Sequence, residues 1–259
     1  LGRIVSIPLA QPTLARATVV VPETDIFAEH VTPTRSRLYV QYRDGGPSAV
    51  RMFSLAGKPI GELPVENNSD IAIGEVLNGD NVMVRIMSYL TPRTQYVHEA
   101  ENNRLQPTKL NSKPQFNFSD AAVERVFATS KDGTKVPISI LHRKDMQLDG
   151  NTPIILYGYG GYGISMAPYF SAMNRLWLDY GGAFVVSNVR GGGEYGEPWH
   201  QAGMLTKKQN VFDDFAACMQ FLVERKYTRP ERLAIMGGSN GGLLMGATLT
   251  QHPSAMRAV

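Results

Sequence analysis

Residues 233–250 read LAIMGGSNGGLLMGATLT and combine three patterns. The apolar run at 233–236 is typical of a buried β-strand, GGSNGG follows at 237–242, and 243–250 is a predicted helix. A Gly-x-Ser-x-Gly sequence between a strand and a helix is the pattern of a nucleophile elbow, the sharp turn that exposes a catalytic serine. The sequence therefore predicts an α/β fold with Ser239 as its candidate nucleophile.

The spacing of the glycines suits this chemistry. The turn forces Ser239 into a strained backbone conformation, and small residues two positions before and after it, Gly237 and Gly241, let the strand and the helix cross closely. The backbone N–H of Asn240 would then point at the oxyanion that forms when the serine attacks a carbonyl. The alternative is a glycine-rich turn that holds a serine by chance, which the strand and helix around it disfavour.

Upstream segments predict the rest of an α/β domain from about residue 119 onward. Uniformly apolar runs at 153–157 and 183–187 indicate parallel strands buried on both faces, and a hairpin is predicted over 123–142. Helical periodicity covers 171–178 and 211–225. The second helix is predicted to bury the stripe Phe212, Phe215, Ala216, Met219, Leu222 and Val223.

The first 118 residues follow a different plan. Only 8 of the 25 glycines lie in residues 1–149, and short alternating strands are predicted at 37–42 and 49–53 around a turn at 44–46. The same pattern of short strands around a turn recurs 44 residues later, with predicted strands at 81–86 and 95–97. This period is close to the roughly 40–45 residues of a four-stranded propeller blade, while a β-sandwich fits the residues equally well.

Composition excludes several classes of protein. The 259 residues hold 26 Lys+Arg and 23 Asp+Glu, a net charge of +3 with no block of like charge, so no nucleic-acid partner is expected. No apolar run is long enough for a membrane span, and no signal peptide is recognisable. Cys218 is the only cysteine and cannot form an internal disulfide, which leaves the compartment open. We expect a cytoplasmic protein. The periplasm is the alternative, because the first residue is Leu1 and the natural N-terminus is expected upstream.

Two glycine-rich loops compete with the elbow as functional motifs. Residues 158–163 and 191–196 both match the G-x-G-x-x-G pattern of dinucleotide-binding turns. A dinucleotide fold needs an acidic residue after the next strand, and SNVR stands at 187–190 instead. Neither a P-loop nor a zinc motif is present, so the sequence predicts no cofactor and no metal.

Four motifs in order carry a family resemblance: YGYGG at 157–161, NVRGGGEYG at 188–196, QNVFDDF at 209–215 and GGSNGG. Together they resemble the prolyl oligopeptidase family of serine peptidases, and Asn240 after the serine favours the branch that gives the family its name. The resemblance implies an α/β hydrolase at 119–259, represented by the half that carries the nucleophile elbow. It also implies that residues 1–118 are the last blades of a β-propeller.

Roles at matching positions follow from the resemblance. Ser239 would be the nucleophile, Asn240 the backbone donor to the oxyanion, and the hydroxyl of Tyr159 the second donor. Tyr162 stands where the family usually has a Phe that lines the proline pocket, so an aromatic wall is kept and a hydroxyl is added. We interpret Arg190 and Glu194 as structural, and Asp213 and Asp214 as carboxylates that favour a helix start.

The other members of a catalytic triad are missing from the sequence. No Asp or Glu follows Ser239, and the only later histidine, His252, lies 13 positions along the same predicted helix, about 20 Å away. His30, His98, His142 and His200 precede the serine, out of order for an α/β hydrolase. We therefore expect an internal part of a longer peptidase that is inactive by itself.

The expected activity of the longer protein is cleavage of short peptides, after proline, through an acyl-enzyme on Ser239. The peptides are its only expected partners, and the oligomeric state is open. Two alternatives remain: an esterase or lipase on the same fold, and a non-catalytic interaction protein that carries a propeller.

Overall fold

The computed structural model describes residues 2–111 and 116–259. In the first of these ranges the strands form three antiparallel sheets, and in the second they form one mixed sheet that packs against helices. The expected domain boundary between residues 118 and 119 comes shortly after residues 112–115, which the structure does not describe.

Two four-stranded antiparallel sheets follow one another along the chain, each with its strands in sequence order. The first comprises β3 (Phe27–Pro33), β4 (Arg37–Arg43), β5 (Ser48–Ser54) and β6 (Pro59–Glu62), and the second β7 (Ser69–Val76), β8 (Val82–Ser88), β9 (Thr94–Glu99) and β10 (Arg104–Pro107). A short pair, β1 (Ile4–Ser6) and β2 (Thr18–Val21), precedes them. The strands expected from alternation are confirmed, and the four-stranded meander is the form of a propeller blade.

Contacts between the two blades are both apolar and polar. Buried side chains from β4 and β5 share one cluster with those of β7 and β8, among them Tyr39, Met52 and Val84. The Tyr39 hydroxyl donates to the Asp80 carbonyl at 2.8 Å and is hydrogen bonded with the fully buried His98. His98 is therefore a packing residue between blades.

The second part is built on a five-stranded sheet in the order β11-β12-β14-β13-β15. Its strands are β11 (Ala121–Thr129), β12 (Lys135–Arg143), β13 (Ile154–Tyr157), β14 (Ala183–Ser187) and β15 (Leu233–Met236). β13 runs parallel to both β14 and β15, whereas β11 and β12 are antiparallel. The predicted parallel centre and the predicted hairpin are both confirmed.

Helices cover the two faces of this sheet. They are α1 (Ala172–Asp179), α2 (Glu197–Gln201), α3 (Gln209–Glu224) and α4 (Asn240–Gln251), with 3₁₀ turns at Leu14–Arg16, Leu205–Lys207 and Pro230–Arg232. Side chains of α3 and α4 join the largest core cluster, and Leu178 of α1 joins a second cluster. None of the helices in the part of the chain described here is long and apolar enough to cross a membrane.

The buried face of α3 differs from the predicted stripe. The residues buried on it are Val211, Asp214, Phe215, Cys218, Met219 and Leu222. Phe212, Ala216 and Val223 lie at its margins instead. The prediction is confirmed for Phe215, Met219 and Leu222, and Phe212 packs partly buried against the same core. The stripe left out Asp214, which hydrophobicity cannot select because its burial depends on an ion pair.

The turn at 44–46 joins the propeller part to the sheet of the second part. The Gly45 N–H donates to the Glu194 carbonyl at 3.1 Å, and Arg125 on β11 donates to the Asp44 carbonyl at 2.5 Å. A hairpin turn of the first blade thus contacts the second glycine-rich loop directly.

Candidate active site

Ser239 lies at a sharp turn between β15, which ends at Met236, and α4, which begins at Asn240. Its backbone has φ 54° and ψ −120°, and the residue is exposed. Positive φ is uncommon for a residue with a side chain and costs of the order of 1–3 kcal/mol, so the surrounding structure must impose it. The geometry matches the elbow that the sequence predicts.

Steric crowding requires glycine at two positions near Ser239. A Cβ at Gly237 would lie 2.7 Å from the Gly241 carbonyl oxygen, and a Cβ at Gly241 would lie 2.6 Å from the Gly158 carbonyl oxygen. At Gly238 and Gly242 a Cβ would meet nothing within 4 Å. Of the four glycines, the two that the elbow pattern specifies are those at the close crossing of strand and helix.

The first turn of α4 presents a backbone donor beside the serine. Gly241 donates to the Gly238 carbonyl at 2.8 Å and Gly242 to the Ser239 carbonyl at 2.9 Å. Within residues 2–111 and 116–259, the Asn240 N–H has no such acceptor. An N–H at a helix N-terminus favours negative charge, so this group can stabilise an oxyanion.

Tyr159 is brought to the same place by the sheet. β13 and β15 are parallel neighbours, so their carboxyl ends meet, and the Gly158 N–H donates to the Met236 carbonyl at 3.2 Å. The carbonyl of Tyr159 accepts a hydrogen bond from the Asn240 side-chain amide at 2.7 Å. The structure therefore places Tyr159, Ser239 and Asn240 together.

Tyr162 lies farther along the same loop, with φ 55° and 78% of the residue's surface exposed. Gly163 donates to the Gly191 carbonyl at 3.0 Å, which ties the two glycine-rich loops together. The expected role of Tyr162 in a proline pocket stays a prediction.

Lys208 is a residue of this region that sequence reasoning missed. Its Nζ donates to the Gly160 carbonyl at 2.7 Å and lies 3.4 Å from Asn240 Oδ1. Burial lowers the pKa of this half-buried lysine. No motif marks the position, because its partners are a backbone carbonyl and an amide that only the fold brings near.

Arg190, expected to be structural, is the centre of a buried ion-pair network. It pairs with Asp214 on α3, at 2.6 Å, and with Asp132 in the hairpin turn between β11 and β12. Burial opposes the charge on Arg190, but the hydrogen bonds that it donates to both carboxylates raise its pKa above the usual value. The same bonding lowers the pKa of Asp132 to about 2. Asp214 is therefore a buried partner of Arg190 and not a dipole carboxylate at a helix start.

Glu194 is also buried, with 1% of its surface exposed. Its Oε1 accepts hydrogen bonds from the Met166 N–H at 2.9 Å and the Asn188 amide at 3.3 Å, while Oε2 has no hydrogen-bond partner among the described residues. Burial raises the pKa of Glu194 to about 7. Its backbone carbonyl binds the propeller turn, in agreement with a structural role.

The five histidines all have other surroundings, and among the described residues none is hydrogen bonded to Ser239. His252 caps the far end of α4, and His200 lies 3.5 Å from Glu197. His142 contacts the Arg143 carbonyl and Glu124, and His98 lies between the blades. His30 is exposed on β3. The part of the chain described here holds no group of three or more His, Cys, Asp or Glu side chains that could bind a metal ion.

A large apolar cavity of about 890 Å³ lies elsewhere, on the α1 side of the sheet. It is bounded by Trp177 of α1, Val186 of β14 and Tyr89 of the propeller part. Neither Ser239 nor Tyr159 lines it, so its size is no reason to place the chemistry there.

Comparison with known proteins gives matches over both parts of the chain. The family model described as "Prolyl oligopeptidase, N-terminal beta-propeller domain" matches residues 1–111. The family model described as "Prolyl oligopeptidase family" matches residues 168–259.

Individual relatives agree. A peptidase of Sinorhizobium fredii is 41% identical over 88% of this chain and 32% of its own length. The prolyl endopeptidase of Elizabethkingia miricola is 36% identical over 90% of this chain and 34% of its own length. A solved prolyl endopeptidase structure superimposes with a TM-score of 0.91 at 40% identity, covering 98% of this chain and 38% of the other. The chain thus spans about a third of the length of these relatives, and it belongs to the prolyl oligopeptidase family.

Proposed function

We propose that Ser239 is the nucleophile of a serine peptidase that cleaves short peptides after proline. The observation that carries the proposal is the elbow itself: an exposed serine at φ 54°, between a parallel strand and a helix whose crossing leaves no room for a Cβ at Gly237 or Gly241. Family membership supports the reaction class, and the names of relatives such as the Elizabethkingia miricola prolyl endopeptidase support proline as the preferred residue.

The mechanism proceeds through an acyl-enzyme. Ser239 Oγ attacks the peptide carbonyl while a histidine takes its proton, and the resulting oxyanion accepts hydrogen bonds from the Asn240 N–H and the Tyr159 hydroxyl. When the C–N bond breaks, the proton passes to the leaving amine and the acyl group stays on Oγ. Water, deprotonated by the same histidine, then releases the acyl group.

The general base and its acidic partner come from chain beyond these 259 residues. None of the five histidines described above is hydrogen bonded to Ser239, and the relatives are about three times as long. On this proposal, residues 1–118 are the last blades of the propeller, and residues 119–259 are the part of the α/β hydrolase that ends after the nucleophile helix.

Substrate selection rests on two further elements of the proposal. Tyr162 provides an aromatic wall for the proline ring, and the propeller admits only short peptides. We propose a cytoplasmic location, with the periplasm as the alternative.

The test uses the complete peptidase and its Ser239→Ala variant. We expect the wild type to hydrolyse a chromogenic peptide with proline before the scissile bond, and the folded variant to be inactive. Preference for a short-chain ester over the peptide would favour an esterase, and failure of a fluorophosphonate to label the protein would favour a non-catalytic interaction protein. Substantial turnover by Ser239→Ala would exclude this nucleophile.

A further inference from the structure

The two proposed oxyanion donors come from different segments of the chain. Asn240 begins α4, whereas Tyr159 lies in the loop after β13. Donors of this kind act only when held within about 0.5 Å of their productive positions. Contacts that fix one segment against the other therefore matter for the reaction rate.

The side chain of Asn240 makes one such contact. Its Nδ2 donates to the Tyr159 carbonyl at 2.7 Å, and its Oδ1 faces the Lys208 ammonium at 3.4 Å. A Cβ at Gly161 would lie 2.4 Å from the same Nδ2, so the amide lies directly on the loop backbone. Both ends of the amide are used, which fixes its orientation.

Lys208 completes the bridge from the start of α3. Its Nζ donates at 2.7 Å to the carbonyl of Gly160, the residue that follows Tyr159. Its hydrogen-bond partners within the described residues are neutral oxygens, although the side chain is half-buried. Holding an ammonium group there costs desolvation that no carboxylate in the described part of the chain offsets, so the charge has a use other than an ion pair.

We propose that Lys208 is a positioning residue, which acts with the Asn240 side chain to hold the backbone of residues 159–160 so that the Tyr159 hydroxyl lies where the oxyanion forms. The inference rests on the proposed function and deepens it. Lys208 does not touch the substrate; it acts through Tyr159.

The experiment compares Lys208→Met with Lys207→Met, its exposed neighbour, in the complete peptidase. Because a small displacement of a catalytic group costs up to about 100-fold in rate, we expect Lys208→Met to lower kcat about 10- to 100-fold with little change in KM. Lys207→Met should keep the wild-type kcat.

A double-mutant cycle separates positioning from a general structural role. In a Tyr159→Phe background, Lys208→Met should change kcat/KM by no more than about twofold, because the hydroxyl it positions is already gone. Asn240→Ala keeps the backbone N–H, so it should likewise lower kcat in the wild-type background and have little effect in the Tyr159→Phe background. If Lys208→Met does not fold, the Asn240→Ala result tests whether the bridge positions Tyr159.

The inference is overturned if Lys208→Met keeps the wild-type kcat. It is also overturned if the fold-decrease in kcat/KM of the double variant equals the product of the decreases caused by Lys208→Met and Tyr159→Phe alone. Should Ser239→Ala remain active, the proposed function itself fails. Activity that depends on Ser239 but is indifferent to Lys208 contradicts only this inference.

Discussion

At the scale of single residues, the sequence predicts chemistry best where a motif also fixes the backbone. Ser239 lies at the predicted turn with the predicted strain, because Gly237 and Gly241 allow one crossing geometry there. Asp214 was misassigned, since nothing local shows that Arg190 lies opposite it. Lys208 was missed for the same reason: both of its acceptors are distant in sequence.

Removal of one oxyanion donor gives the first prediction. Tyr159→Phe in the complete peptidase should lower kcat/KM by about 10²–10³, the typical cost of losing one such donor, with an unchanged melting temperature. Tyr180→Phe, which removes a hydroxyl from a side chain that is 82% exposed, is the control and should leave both quantities unchanged. An unaltered rate in Tyr159→Phe would make this tyrosine a packing residue.

Glu194 gives a prediction about pH. Burial raises the pKa of its carboxyl from 4.5 to about 7, so its stabilising contribution is fully present below about pH 4.5 and is lost as the pH rises to about 7. Glu194→Gln cannot ionise and should remove up to about 3 kcal/mol of this pH dependence. The charge of Arg43 acts on this carboxyl, and the carboxyl in turn acts on the hydroxyls of Tyr89 and Tyr195.

Thermal unfolding of the complete peptidase between pH 4.5 and 8 measures this effect. Relative to the wild type, Glu194→Gln should gain stability as the pH rises, whereas Glu231→Gln, at an exposed carboxylate, should follow the wild type. Parallel curves for wild type and Glu194→Gln would show that Glu194 is ionised throughout.

At the scale of elements, periodicity predicts which strands and helices exist, and packing decides which face is buried. The apolar runs at β13, β14 and β15 form the parallel centre of the sheet, as predicted. On α3 the buried face includes Asp214, which hydrophobicity excludes by definition. An ion pair across elements is a tertiary fact that no single-helix pattern contains.

The crossing of β15 and α4 predicts a contrast between two glycines. Gly241→Ala would place a Cβ 2.6 Å from the Gly158 carbonyl oxygen and should destabilise the peptidase by about 1–3 kcal/mol. Gly242→Ala, with nothing within 4 Å, should be neutral or stabilising by up to about 1 kcal/mol, since Ala favours a helix. Equal melting temperatures for the two variants would contradict the close crossing.

At the scale of the whole molecule, the order of elements could be predicted and the contacts between the two parts could not. The strand pattern that recurs after 44 residues corresponds to two four-stranded sheets, yet nothing in DGG at 44–46 indicates that this turn binds Glu194 and Arg125. Among the described strands β15 lies at one end of the sheet, and Arg257 and Ala258 pair beside it. The sheet edge at the nucleophile is thus only partly covered.

The 259 residues expressed alone should therefore be catalytically silent and prone to aggregate. Among the described residues no histidine is hydrogen bonded to Ser239, and strand edges are exposed. The assay is hydrolysis of a proline-containing peptide by this chain and by the complete peptidase, with the Ser239→Ala chain as a control for contamination. Turnover that disappears in that control would show that a base exists within these residues, and His200 would be tested first.

The most direct measurement locates the nucleophile itself. The complete peptidase is treated with a fluorophosphonate, its residual activity on a proline-containing peptide is followed, and the modified residue is identified by mass spectrometry. We predict one phosphonyl group, on Ser239, that accumulates in proportion to the loss of activity and is absent from Ser239→Ala. Inactivation with Ser239 unmodified, or full activity with Ser239 modified, would contradict the account.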